Sequence, residues 1–288
     1  MNRRAVVFGA SGQLGTELVC ELGRRQYVVT AWDREGVDIT DIQAVENALA
    51  LAEADLVFNA AAYNQVDVAE KEPLAAFQVN ALAVRNLALG CRQVDAQFVH
   101  FSTDYVFDGL ANQPYTEDAP THPLSAYAVS KLAGEVYAQA YLDRPLIVRT
   151  SGVFGPAGLR TARGNFVELM LRLAGSGRPI RVVEDFVASP TFAPLLAART
   201  IDLLESGQGG VFHVGGGTPI SWFQCAQMIF EAAGLAPELQ PTNEREYRTA
   251  ARRPRYSALS NLKMEGSGVS PMPPLREAVR MYFDHRGK

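Results

Sequence analysis

The sequence predicts a doubly wound α/β fold, a parallel sheet covered by helices on both faces, followed by a smaller mixed α/β unit. Three observations predict it. Short apolar runs alternate with helical patterns through the first half of the 288 residues, which calls for parallel strands joined by right-handed crossovers. A glycine-rich turn, Gly9-Ala-Ser-Gly12-Gln-Leu-Gly15, separates the first strand from the first helix. After Thr150 the texture changes, as Gly152, Gly155, Pro156, Gly158 and Gly164 crowd together and the elements shorten. A boundary is therefore expected near residue 150, dividing 1–150 from 151–288, with segments around 192–214 able to return to the first unit.

The elements follow in order. Residues 5–8 form a short apolar run, the mark of a strand buried on both faces. The glycine turn then opens a helix that runs to about Arg24, and residues 27–32 form the second strand, ending at Asp33. Asp38-Ile-Thr-Asp41 offers a Thr or an Asp to cap a helix over 42–51. Residues 55–59 are a third apolar strand, 75–94 a long helix, 97–102 a strand, 125–141 a helix and 146–150 a strand again. Farther on, 166–174, 192–204 and 222–233 carry helical spacing, 180–183 and 211–214 read as strands, and 275–282 as a terminal helix. Residues 237–255 hold turn chemistry and many charges. There is no internal repeat and no low-complexity segment.

Composition narrows the function. The chain is 48% hydrophobic and 20% charged, the usual mix of a soluble globular protein. A net charge of −4 argues against a nucleic-acid footprint, which shows as excess basic charge. Cys20, Cys91 and Cys225 have no CxxC spacing and read as small buried hydrophobes. The four histidines are scattered without metal-ligand spacing, so no metal is expected. No apolar run approaches the roughly 18 residues of a membrane span, and no signal segment opens the chain. A cytoplasmic protein is expected, and a homodimer is left open.

The glycine turn is a candidate dinucleotide site, which would make the first unit Rossmann-like. Gly9 permits a tight turn, Gly12 close approach to a pyrophosphate, and Gly15 close packing of the helix. The free N–H groups at the helix start then face the anion. Asp33, at the end of the second strand, would hydrogen-bond a ribose 2′-hydroxyl and favour NADH. Arg34 beside it pulls toward NADPH, since a guanidinium pairs with a 2′-phosphate.

The stretch SAYAVSKLAGE holds Tyr127 and Lys131, four residues apart and so on one helix face. Reducing a ketone needs hydride at carbon and a proton at the developing alkoxide. Tyrosine, with a reference pKa of about 10, is a weak acid–base group until a nearby ammonium favours its phenolate. Lys131 would supply that charge and reach the nicotinamide ribose, while Thr103, ending a neighbouring strand, would hydrogen-bond the substrate oxygen.

Five motifs occur in one order: GASGQLG, Asn59-Ala-Ala-Ala-Tyr63, Ser102-Thr-Asp-Tyr-Val-Phe-Asp-Gly109, Tyr127-Ala-Val-Ser-Lys131-Leu-Ala-Gly-Glu135 and Arg149-Thr-Ser-Gly-Val-Phe-Gly155. The series resembles the extended short-chain dehydrogenase/reductases. The run from Asn59 to Glu70, the Thr in STDYVF, Ala188-Ser-Pro-Thr191 and Arg252-Arg253-Pro254 followed by Ser257 and Leu259 resemble the dTDP-4-dehydrorhamnose reductases within them. The similarity spans nearly the whole chain.

That resemblance implies that Gly12, Gln13 and Leu14 line the pyrophosphate, Asp33 the adenosine ribose, and Asp38 and Ile39 the adenine. Ala62, Tyr63 and Asn64 would lie along the cofactor, with Phe101 nearby. Thr103 and Asp104 would touch the sugar, Tyr127 would donate the proton, and Lys131 would bind the cofactor ribose. The implied reaction is reduction of the C4 ketone of dTDP-6-deoxy-L-lyxo-4-hexulose to dTDP-L-rhamnose. A nucleotide-sugar epimerase using the same Tyr–Lys pair, or a regulatory subunit that binds dinucleotide without turnover, are the competing readings. Asn165, within Gly-Asn-Phe 164–166, and Arg253 beside Arg252 are candidates for the nucleotide part of the substrate.

One departure stands out. Where the resembled family reads RTSWVYG, this chain has Gly152. Either the missing indole leaves open space beside the sugar and the substrate differs, or another side chain fills the gap. Phe186, where the family often has Gln, lies in the same half of the chain.

Overall fold

The computed structural model describes residues 3–161 and 164–286. Strand β1 (Arg4–Phe8) is buried from Ala5 onward and leads through the glycine turn into α1 (Gln13–Arg24). There follow β2 (Val28–Trp32), α2 (Ile42–Ala52), β3 (Leu56–Asn59), α3 (Val66–Ala69), α4 (Pro73–Phe77), α5 (Ala83–Val94), β4 (Gln97–Thr103), α6 (Ala126–Tyr141) and β5 (Leu146–Thr150). Side chains start the helices: Asp41 accepts from the N–H groups of Gln43 and Ala44, and Ser125 from that of Ala128. The remainder is α7 (Phe166–Ala174), β6 (Ile180–Val183), β7 (Val187–Ala188), α8 (Ala193–Glu205), β8 (Gly210–His213), β9 (Ile220–Ser221), α9 (Trp222–Ala233), β10 (Leu239–Thr242), α10 (Leu262–Gly266) and α11 (Leu275–His285).

Six strands form one parallel sheet in the order β2-β1-β3-β4-β5-β8. The chain moves outward from β1 to β2 and then returns to the opposite side of β1 with β3. The loops after β1 and β3 therefore diverge, opening a crevice at the carboxyl ends of the strands, where open α/β sheets bind ligands. Leu18 of α1 and Leu196 of α8 cover one face with Phe58, Phe101 and Phe212. Residues of α2, α5 and α6 cover the other, over Val6, Phe8 and Phe98. Helix α8 and strand β8 thus complete the sheet, while α7, α9 and α11 enclose a separate apolar core that includes Phe154, Met170, Ile229 and Tyr282.

Several elements differ from expectation. The helix expected over 75–94 begins at Pro73 and contains a π-turn at Gln78–Leu82. Pro73–Val94 is long and apolar enough to cross a membrane, but Val84, Leu87 and Cys91 are wholly buried against the sheet, so it is a core helix. Residues read as turns after 237 include β10, which pairs with β6 and places Pro241 opposite Val182. The pair is only two strands wide, so each strand is an edge, where a missing N–H is tolerated. Helices α3 and α10, of four and five residues, are too short to leave a periodic signature. Cys20 is exposed on α1 rather than buried, while Cys91 and Cys225 are interior.

Candidate active site

A cleft of about 780 Å³ lies at the carboxyl ends of the central strands. On one side stands the glycine turn. Gly9 has φ +76, and a Cβ there would lie 2.5 Å from Ala61 N; one on Gly15 would lie 2.1 Å from Gly9 O. Gly9 and Gly15 therefore shape the turn from behind, while Gly12, Gln13 and Leu14 line the cleft. No side chain caps α1 at Gly12. A bare helix start is the donor set a dinucleotide diphosphate requires.

At the carboxyl end of β2, beside the turn, Ala10 N–H donates to Trp32 O. Here Asp33 Oδ1 accepts from the N–H groups of Glu35 and Gly36 at 3.1 and 3.0 Å, with Arg34 exposed next to it. Asp38 accepts from Thr40 N and Oγ1, and these bonds hold its carboxyl below the usual range. Ile39 is buried, and its carbonyl accepts from Asn86 Nδ2. These four residues lie outside the set that lines the cleft.

The loop after β3 forms the second wall, where Ala62 and Asn64 face the cleft. Tyr63 between them is clamped by Asn80: its N–H donates to Asn80 Oδ1 at 2.8 Å and its carbonyl accepts from Asn80 Nδ2 at 3.1 Å. The Tyr63 hydroxyl donates to Glu72. Asn80 Nδ2 also donates to Ser130 Oγ, whose hydroxyl donates to Tyr127 O. One buried amide, presented by the π-turn, thus ties the loop after β3 to the first turn of α6. Sequence reasoning missed it, because a π-turn has no periodic signature.

Tyr127 and Lys131 are 8% and 3% exposed, and both line the cleft from α6. Lys131 Nζ donates to Phe101 O at 2.6 Å. Burial pulls the Lys131 ammonium down to about 8, while Glu135 one turn on pushes it back up. Thr103 ends β4 and donates to Asp104 Oδ1 at 3.2 Å. Buried Asp104 also accepts from Ser151 Oγ at 2.8 Å and Ser257 Oγ at 2.5 Å. Burial raises its carboxyl to about 6, against the pull of those hydroxyls. The Tyr105 ring meets Tyr127 edge-on, with centroids 6.1 Å apart.

Beneath Lys131, Glu135 accepts from Ser102 Oγ at 2.5 Å and from Arg149 Nε and Nη2 at 3.0 and 2.7 Å. The Arg149 and Glu135 side chains are 6% and 2% exposed. This pair was not anticipated, although Glu135 belongs to the Tyr127 motif.

Just beyond β5, Gly152 has φ +50, and a Cβ there would lie 2.8 Å from Trp222 Cη2. Of the two readings of Gly152, the filled gap is the one found, and the side chain comes from 70 residues away. Phe186 is buried away from the cleft, and its carbonyl accepts from Trp222 N. Asn165 lines the cleft, but its amide is engaged: Oδ1 caps α7 at Glu168 N, and Nδ2 donates to Gln13 Oε1 and Gly155 O at 2.9 and 3.0 Å. Arg253 is not brought to the cleft. It pairs with Asp67 of α3 at 2.6 and 3.1 Å. Among the described residues lining the cleft, the cations are Lys131 and Arg172, and the latter went unnoticed in the sequence. No group of three potential metal ligands occurs among the described residues.

Three comparisons with known proteins agree. A family model described as the RmlD substrate binding domain matches residues 3–287. The spore coat polysaccharide biosynthesis protein SpsK of Bacillus subtilis is 38% identical over 283 residues, covering 98% of both chains. The dTDP-4-dehydrorhamnose reductase of Streptomyces griseus is 37% identical over 97% of this chain and 93% of its own. The crystal structure of dTDP-4-dehydrorhamnose reductase from Bacillus anthracis in complex with NADP superposes with a TM-score of 0.94 at 34% identity, covering 99% of both chains. The chain belongs to the RmlD substrate-binding-domain family, among the dTDP-4-dehydrorhamnose reductases of the extended short-chain dehydrogenase/reductases.

Proposed function

We propose that this protein is a cytoplasmic reductase of the C4 ketone of a dTDP-linked 6-deoxyhexulose, converting dTDP-4-dehydro-L-rhamnose to dTDP-L-rhamnose with NADH or NADPH. The observation that carries the reading is a buried Tyr127–Lys131 pair facing the same cleft as a bare, glycine-built helix start. Gly12–Leu14 and Ala62–Asn64 would hold the nicotinamide dinucleotide, whose reduced form would supply the hydride for C4. Tyr127 passes its hydroxyl proton to the developing alkoxide, a step of general acid catalysis contributing about 10²–10⁴-fold. Lys131, fixed by Phe101 O, stabilises the phenolate left behind and donates to the ribose hydroxyls. Thr103, whose hydroxyl donates to Asp104 Oδ1, would turn that single proton to the same substrate oxygen when substrate binds. Arg172 meets the charge of the substrate diphosphate. Asn165 acts indirectly, by fixing Gln13 against the cofactor turn. The second unit supplies the substrate-side wall through α7 and α9.

Asp33 inclines the cofactor choice to NADH, and Arg34 admits NADPH. The test is oxidation of each cofactor against a panel of dTDP-, UDP- and GDP-linked 4-keto sugars. The reading expects one equivalent oxidised per dTDP-linked sugar and a clear preference for dTDP. Product formation without net oxidation would point to an epimerase instead.

A further inference from the structure

We infer that Trp222 forms the aromatic wall on which the hexose ring of the substrate packs, and that its contact with Gly152 sets which 4-keto sugars are accepted. The inference deepens the reading of the cleft as a nucleotide-sugar site and rests on it.

Trp222 is the first residue of α9 and lines the cleft. Its backbone is fixed twice over. The β7–β9 ladder pairs Val187 with Ser221 and Ala188 with Ile220, and Ser221 then forms a reciprocal capping box with Gln224. Trp222 N–H donates to Phe186 O at 3.2 Å. The ring is held as firmly: Phe166 meets it at 4.6 Å between centroids and 61° between planes, and Gly152 leaves no room behind Cη2.

Strand register locates this indole along the cleft. Thr103 pairs with Thr150 across β4 and β5, and Gly152 lies two residues beyond Thr150. The indole therefore borders the stretch of cleft shared by Thr103 and Tyr127, where the carbonyl to be reduced must sit. A 6-deoxyhexose presents ring C–H groups and a methyl, which suit an indole face; its hydroxyls turn toward Thr103 and Tyr127.

Gly152 is then a packing requirement of the wall. Any side chain there meets the indole and must also hold a left-handed backbone, which strains a residue with a β-carbon. Enlarging residue 152 displaces Trp222 instead of adding a second aromatic surface.

The chain has two tryptophans, Trp32 and Trp222, so Trp32→Phe makes Trp222 the sole reporter. Titrating that variant with dTDP-L-rhamnose is expected to change the emission, whereas dTDP, bound in parallel by calorimetry, leaves it unchanged. Equal changes with both ligands would assign the indole to the nucleotide, and no change despite calorimetric binding would remove it from the site; either result overturns the inference. Trp222→Ala is expected to raise the KM for the 4-keto sugar about tenfold, the order of one lost aromatic contact, while the KM for NADPH and the Ki for dTDP stay unchanged. An unaltered sugar KM in Trp222→Ala also overturns it. Failure of the parent reading looks different: wild type would then oxidise no cofactor with any sugar of the panel.

Discussion

Glu135 lies outside the reacting atoms, yet the geometry makes it the most exacting place to perturb. Glu135→Gln preserves shape and removes charge. The carboxylate takes four hydrogen bonds, one from Ser102 and three from the Arg149 fork, whose Nε is shared between both oxygens. A glutamine oxygen can keep the Ser102 bond, but its amide nitrogen then faces Arg149 Nη2, donor against donor. Arg149 Nη1 already lacks a partner among the described residues, so the variant leaves a buried guanidinium uncompensated. Removing one partner of a buried ion pair costs about 3–5 kcal/mol, and urea unfolding should show a loss of that size. Lys131 reports the same change through pH. Its ammonium titrates at about 8 because burial disfavours the charge and Glu135 partly restores it. Reduction that depends on the protonated lysine falls as pH rises through that value. Without Glu135 the falling limb should begin at lower pH. A stability loss below about 1 kcal/mol, the range of exposed pairs, together with an unmoved alkaline limb, would refute the reasoning.

Asn80→Ala leaves the Tyr63 N–H and carbonyl without their clamp, a loss of about 1–3 kcal/mol by unfolding, and should raise the KM for the nicotinamide cofactor more than it lowers kcat. Arg34→Ala should raise the KM for NADPH and leave that for NADH unchanged, as compared in steady-state assays; equal effects would dissociate Arg34 from the 2′ position. Asp104 should give an acidic limb near pH 6, since protonation turns one carboxyl oxygen from acceptor to donor and breaks a bond from Ser151 or Ser257. Asp104→Asn should lose that limb in the pH dependence of kcat/KM.

The glycine turn and the strand–helix alternation are local features, and the sheet is built from them as the sequence suggested; Tyr127 and Lys131, four residues apart on α6, line one cleft. What escaped the sequence depends on contacts between distant segments. Trp222 meets Gly152 only because the β7–β9 ladder brings α9 to the end of β5, so the gap left by glycine could be noticed but not its occupant. Arg253 looked like an anion ligand because its partner, Asp67, stands 186 residues earlier on a helix of one turn. Asn165 had the chemistry of a ligand contact, but its amide is taken up by Gln13, 152 residues away. In each case residue type is legible in the sequence, whereas the protein partner it meets is set by tertiary contact.

The central claim is that Tyr127 delivers the proton that completes a net reduction. It is tested most directly by following NADPH oxidation and sugar product together for wild type and Tyr127→Phe, with dTDP-4-dehydro-L-rhamnose as substrate. The account predicts one NADPH consumed per dTDP-L-rhamnose formed, and a fall in kcat of about 10²–10⁴-fold in the variant with its cofactor affinity retained. Product without net oxidation in wild type, or a variant within a few-fold of wild type, would contradict it.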